Sequence, residues 1–270
     1  MKNAMHKLSN PIYAAYMRDN YGIEIPESFK IFAAWNKSGN IKLGGSMWSF
    51  STMYGNHDIE VRKGDVILVM RGTCGHHCKG CEGSCYVRKS YRYPSVIWSH
   101  ARNTIAIRAD IAAAEESLNG QIDRARNKPD VCRFDQSGEI ESMAEMKMFE
   151  HIAAAHPGIA FYVYSKAYDI IIPELLSGNV PSNLFVLVSI WHEYGIEEFK
   201  KVAHLPNVKA FVLVDDDWTA ERYAEHGIYI ETMCTAYDKS GKMDHKVTCH
   251  RCGKCWKNRK NCKVIGCYAH

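Results

Sequence analysis

The stretch AFYVYSKAYDIIIPELLSGNVPSNLFVLVSIWHEYGIEEFKKVAHLPNVKAFVLVDD (160–216) decides the fold, because three β-prone runs in it alternate with two helix-length segments. AFYVYS (160–165), LFVLVSI (184–190) and AFVLVDD (210–216) are rich in Val, Leu, Phe and Tyr, and several are apolar on both faces, as in a buried parallel sheet. Helical patterns fill 168–177 and 195–204. Outward from this centre, DVILVM (65–70), VCRFDQ (131–136) and IYIETMC (228–234) add strand candidates, and 95–118, 141–155 and 218–226 add helices. Ser142 and Glu145 have the spacing of a capping box at one helix onset. This regular alternation predicts an α/β fold, a partial (β/α)6 barrel over residues 65–234. A short β-rich N-terminal extension (1–64) precedes it and a Cys-rich C-terminal metal-binding extension (235–270) follows. Within the first extension, IKLGGSMWSFSTMYG (41–55) reads as a hairpin or meander, with turns at Ser38-Gly39-Asn40 and Gly44-Gly45.

The cysteines point to chemistry. TCGHHCKGCEGSCY (73–86) holds Cys74, Cys78, Cys81 and Cys85, directly after the first expected strand. Thiolates this close can converge on one metal centre, and C-x3-C-x2-C suits an iron–sulfur cluster. Zinc is the alternative, through the Cys78–Cys81 pair with His76 or His77. A second set, Cys249, Cys252 and Cys255, is spaced C-x2-C-x2-C, with Cys234, Cys262 or Cys267 as candidate fourth ligand; iron–sulfur and zinc both fit it. Cys132, inside a strand, reads as a buried apolar residue.

Hydrophobic residues form 46% of the 270 and charged residues 24%, the profile of a globular protein with a sizeable core. No apolar run has membrane-spanning length, and the N-terminus lacks a signal-peptide core. The cytoplasm is the expected compartment, where eleven cysteines stay reduced and clustered thiols favour metal over disulfides. A net charge of +4 does not argue for nucleic acid. The acid-free tail KVTCHRCGKCWKNRKNCK (246–263) can touch phosphates, or it can balance a thiolate-bound cluster.

In parallel α/β folds, chemistry gathers at the C-terminal ends of the strands. FDQSGE, YSKAYD, SIWHE, DDDW and ETMC follow successive expected strands, so a site on that face is expected. Tyr164 and Lys166 would face it. His192 and Glu193 suggest acid–base chemistry or a solvated loop; Asp215–Asp217 suggest a cation site or an acidic turn before a helix. Phosphate-loop, GxSxG and HExxH patterns are absent, which removes the commonest NTPase, hydrolase and metalloprotease readings.

With its expected partial barrel and C-x3-C-x2-C, the chain resembles the radical S-adenosylmethionine superfamily. Ser137-Gly138-Glu139 is similar to that superfamily's GGE motif, and Ser189 lies where it often places polar cofactor contacts. The resemblance implies a 4Fe-4S cluster with one open iron. That iron would chelate S-adenosylmethionine, whose reductive cleavage yields a 5′-deoxyadenosyl radical. More closely, the chain resembles the phage family called gene product eighty-eight. GNIKLG, CEGSCY, the SGE turn, YSK and CHRCGKCW carry that likeness, from residue 39 to the end. Two departures from the radical pattern stand out. Gly80 precedes the third cysteine, where an aromatic is usual, and Cys85 adds a fourth thiol. In the phage family the recurring cysteines look like 74, 81 and 85, which leaves open which three bind. The expectation is an iron–sulfur enzyme with an unknown substrate and an electron donor. The alternative is a non-catalytic protein with fully Cys-ligated clusters, contacting nucleic acid through its tail.

Overall fold

The computed structural model describes residues 4–24, 30–37, 42–44, 46–83, 85–240, 242, 244 and 246–268. The turn expected at 38–40, Gly45 and the first three residues of GNIKLG lie outside them. Helix α1 (Ala4–Tyr21) leads into strand β1 (Met47–Ser49) and a hairpin of β2 (Asp58–Lys63) and β3 (Val66–Arg71). Two short helices, α2 (Lys79–Gly83) and α3 (Val87–Ser90), carry the first cysteine segment, and α4 (Pro94–Ala109) and α5 (Ile111–Asp123) follow. Strands and helices then alternate: β4 (Val131–Arg133), α6 (Met143–Ala155), β5 (Ala160–Ser165), α7 (Tyr168–Ser177), β6 (Leu184–Ile190), α8 (Ile196–Val202), β7 (Val208–Val214) and α9 (Ala220–Glu225). The chain closes with β8 (Thr232–Met233), α10 (Cys249–Cys252) and β9 (Val264–Tyr268).

Seven strands form one sheet in the order β1-β4-β5-β6-β7-β9-β8, and every pairing within it is parallel. Its edge strands β1 and β8 are not paired with each other, so the sheet is open. Side chains alternate between faces, as the period of a strand requires. Phe161, Val163, Val186, Val188, Ala210 and Val212 meet the helices in the larger core, where Phe134 stacks on Phe149 with ring centroids 4.0 Å apart. Met47, Val131, Tyr162, Phe185, Leu187 and Ile265 form a smaller cluster on the other face, with Cys234, Cys249, Cys255 and Trp256 packed on it. Among the described residues, no helix is long and apolar enough to cross a membrane.

Four expectations change. Residues 66–70 lie in β3, paired only with β2 and outside the seven-stranded sheet. The two-residue Gly64-Asp65 turn closes that hairpin, and Ile67 and Val69 stay 48% and 54% exposed, which a buried sheet strand does not allow. The sheet's first strand is instead β1, inside the stretch read as a hairpin or meander; its partner is β4, in parallel register. The segment 228–234 shrinks to the edge pair β8, and β9, unforeseen, lies between it and β7. The helix expected over 95–118 is two helices. Asp110 breaks it with an extended backbone and caps α5, its carboxylate accepting from the Ala113 N–H at 3.0 Å.

At α6 the capping box is half made. Ser142 Oγ accepts from the Glu145 N–H at 3.2 Å, while Glu145 accepts from the Glu141 N–H at 2.8 Å.

Candidate functional site

The cysteine loop reaches the C-terminal edge of the sheet by an indirect route. After β1 the chain continues beside β4, the Thr52 N–H bonding the Ser137 carbonyl at 2.9 Å. Beyond β3, the Thr73 and Cys74 N–H groups bond the Met53 and Gly55 carbonyls at 2.8 and 2.9 Å. Gly72 makes this approach possible, since a Cβ there would lie 2.0 Å from the Tyr54 carbonyl oxygen. Cys74 therefore sits beside the SGE turn although its own strand is outside the sheet.

A cavity of about 220 Å³ opens there. Cys74, Cys81 and Cys85 line it, as do Ser137, Gly138, Glu139 and Ser189. So do Cys234, Cys249, Cys252, Cys255 and Cys267 from the C-terminal set, with Tyr164 and Lys166. Both thiol groups thus face one space. Cys78 is half-buried beside Cys81 but off the cavity wall. Cys132 is fully buried in β4 against the helices, and Cys262 lines a separate basic groove with Arg259 and Lys260.

Long-range backbone bonds bring the C-terminal set in. The Cys249 and His250 N–H groups bond the Lys42 and Leu43 carbonyls at 2.8 and 3.0 Å. Lys209, buried in β7, donates to the carbonyls of Lys254 and Lys257 at 2.5 and 2.7 Å, which pins the CGKCWK loop. Tyr164 donates its hydroxyl to Cys255 Sγ at 2.9 Å. Cys234 and Cys267 stand side by side on the β8–β9 edge. The hydrogen bond from Cys267, against the effect of burial, holds the Cys234 pKa below the ordinary thiol value.

Burial opposes the charge of Lys166. The surrounding Cys81, Glu139, Cys78 and Cys74 outweigh it and hold the lysine above its ordinary pKa. Burial, then the charge of Glu139, pushes the Cys74 thiol up. Glu139 is buried, its carboxylate accepting from the N–H groups of Ile140 and Lys166 at 3.1 and 2.9 Å. Two of its roughly four acceptor positions are thereby used. Gly138 has φ +90°, and a Cβ on it would lie 1.9 Å from Thr52 Oγ1.

Behind the SGE turn, Asp135 and Glu145 are buried. Burial, reinforced by Glu145 and Glu139, raises the Asp135 pKa well above the carboxylate range. Burial also pushes Glu145 from 4.5 to about 8, opposed by the hydrogen bond from the Glu141 N–H and by Arg108, with the charges of Glu141 and Glu139 adding to it. Between these values the folded chain keeps a proton that the unfolded chain has lost. Stability should therefore fall as pH rises through that window, by up to about 1.4 kcal/mol per pH unit per proton. Urea unfolding at pH 5, 6.5 and 8, with reductant and chelator present, should show this fall, and Glu145→Gln should flatten it. An unchanged slope in the variant would refute the assignment.

Elsewhere, His192 Nε2 and Asp215 Oδ2 are 2.7 Å apart, and the other oxygen of Asp215 accepts from the Asp217 and Trp218 N–H groups. The acidic run is thus a turn organised by Asp215. Sequence reasoning missed two cations of the cavity wall, Lys42 and Arg133. The signal for Arg133 was a charge at the end of an otherwise apolar strand.

An open parallel α/β sheet with two thiol groups distant in sequence around one cavity defines the class of protein. The family model for gene product 88 matches residues 34–258, and the chain belongs to that family. No curated protein and no solved structure matches it.

Proposed function

We propose that this chain is an iron–sulfur protein performing redox or radical chemistry on a small molecule. The observation that carries this reading is the convergence of both thiol groups, the SGE turn and Ser189 on one cavity. The strand run β1-β4-β5-β6-β7 in chain order, with α4 to α9 sharing one core cluster, supports a partial-barrel scaffold. Among the described residues, no three His, Cys, Asp or Glu side chains already stand as a ligand group. The fit rests on donor chemistry. Soft thiols are the ligands such clusters take, and Lys166 lies within electrostatic reach of Cys74, Cys78 and Cys81.

Cys74, Cys81 and Cys85, with Cys78 as competitor, would hold one cluster. Cys234, Cys249, Cys252 and Cys255 would hold another, the lowered pKa of Cys234 favouring its thiolate. Bound there, a 4Fe-4S cluster supplies one-electron chemistry, and a three-thiolate site leaves an iron open to S-adenosylmethionine. The unused acceptor positions of Glu139 suit a ligand ammonium group. Electrons would come from a separate donor in the cytoplasm of the cell, or of the host if the gene is a phage's.

A second reading is a non-catalytic protein with fully Cys-ligated clusters, or zinc in the C-terminal set, contacting nucleic acid. The consecutive exposure of Lys257, Asn258, Arg259 and Lys260 favours it.

Protein purified without oxygen should contain iron and acid-labile sulfide in equal amounts, and with S-adenosylmethionine and dithionite it should release 5′-deoxyadenosine. Fully loaded protein that yields none loses the radical chemistry. Zinc without sulfide sinks the iron–sulfur reading. Salt-sensitive DNA or RNA binding, abolished by neutralising Lys257, Arg259 and Lys260, would favour the second reading.

A further inference from the structure

Arg133 is the last residue of β4, opposite Ser49 and Tyr162 in the sheet register. Strand alternation puts its side chain on the face of Val131 and Tyr162, where the C-terminal cysteines pack. Its guanidinium lies 4.5 Å from the ring centroid of Tyr164 and 5.9 Å from that of Tyr162. Nε is buried with no hydrogen-bond partner, and among the described residues no carboxylate pairs with the group.

The same fold treats Arg108 differently: Glu141 accepts from its Nε and Nη2 at 2.9 and 2.6 Å. A guanidinium carries five N–H donors, and burying it without an anion is costly. Ring contacts return only about 0.5–2 kcal/mol of that.

Among the described residues, neither carboxyl group of the cavity wall, Asp135 or Glu139, forms an ion pair with Arg133. Glu139 accepts from two backbone amides and acts electrostatically on Lys166, and Asp135, whose pKa burial raises, lies by Thr52 Oγ1. Tyr164, Phe211 and Trp256 supply flat apolar surface on the same wall.

We propose that Arg133 is the receptor for the oxyanion group, carboxylate or phosphate, of a small planar molecule that enters this cavity. A guanidinium fork binds either group through two parallel hydrogen bonds, while the aromatic wall takes the ring. The rival role for Arg133 is balancing the Cys249 thiolate, which also acts on it electrostatically. The site requires no metal, so it stands or falls apart from the cluster reading.

Full-length protein purified without oxygen, with its iron content measured, is titrated with benzoate and separately with inorganic phosphate. Binding is followed by calorimetry and by the fluorescence of the cavity tryptophans. Saturable one-site binding is expected, weakened at least tenfold by Arg133→Met and less by Arg133→Lys. Benzoate binding assigns a carboxylate; phosphate binding alone assigns a phosphate group. In the unsubstituted chain, phenylglyoxal labelling of Arg133 should be slowed by the bound anion, a readout that does not depend on either variant folding. Absence of saturation by both probes overturns the proposal. So does equal binding by Arg133→Met, whether or not that variant loses iron; iron loss with binding unchanged assigns the charge to Cys249.

Discussion

Replacing Gly138 by alanine is expected to remove about 3–5 kcal/mol of stability, a third or more of what a typical domain possesses. Two penalties add. At φ +90° the backbone lies where an L side chain is strained, which costs about 1–2 kcal/mol. The new Cβ would also stand 1.9 Å from Thr52 Oγ1 and 2.6 Å from Thr73 Oγ1. Neither hydroxyl can step aside freely. Thr73 Oγ1 donates to the Met53 carbonyl at 2.9 Å and accepts from the Glu139 N–H at 2.9 Å. Thr52 Oγ1 lies 3.1 Å from Thr73 Oγ1 and 3.3 Å from Asp135 Oδ1. Displacing them breaks bonds worth about 1 kcal/mol each in a buried site. A lowered urea midpoint at unchanged slope would measure the loss. Thr52→Ala in the Gly138→Ala background should recover part of it, because the worst overlap goes while the backbone strain stays. A single variant within 1 kcal/mol of the parent would show that the turn does not need its glycine.

The same turn shows what the sequence makes legible. SGE is a local motif, and its glycine, its acid and its place after a strand can all be read from three letters and an apolar run. The strands at 160–165 and 184–190 have the bounds expected of them, because continuous Val, Leu and Phe between turn signals leave a buried strand little alternative. VILVM carries the same composition yet belongs to a hairpin, since one-sided burial is decided by what packs against the strand. β9 went unseen for a related reason. VIGCY is short and follows a cysteine-rich loop, and only the distant β7 and β8 make it a strand. The meeting of the two cysteine groups is a long-range fact of this kind. It rests on Cys249 and His250 bonding to Lys42 and Leu43, and on Lys209 holding the loop, none of which periodicity can announce.

On the proposed iron–sulfur reading, serine at Cys74, Cys81 or Cys85 is each expected to cost the chain about four irons and their sulfides, whereas serine at Cys78 should leave iron content unchanged. The spacing C-x3-C-x2-C groups Cys78 with Cys74 and Cys81, but the cavity wall groups Cys85 with them instead. Cys74 is influenced electrostatically by Cys81 and Cys85, whereas Cys78 and Cys85 each answer to Cys81 and Lys166, so it is the wall position that separates these two. A hydroxyl is a poor substitute for a thiolate toward iron, so the loss at a true ligand should be near complete. The four variants also count ligands. Iron loss in all of them means four thiolates and no open iron, which removes the site for S-adenosylmethionine and leaves an electron carrier. Iron kept only by Cys85→Ser would restore the spacing-based triplet of Cys74, Cys78 and Cys81. Iron kept only by Cys78→Ser leaves three thiolates on one wall, an iron with a free position, and Glu139 beside it.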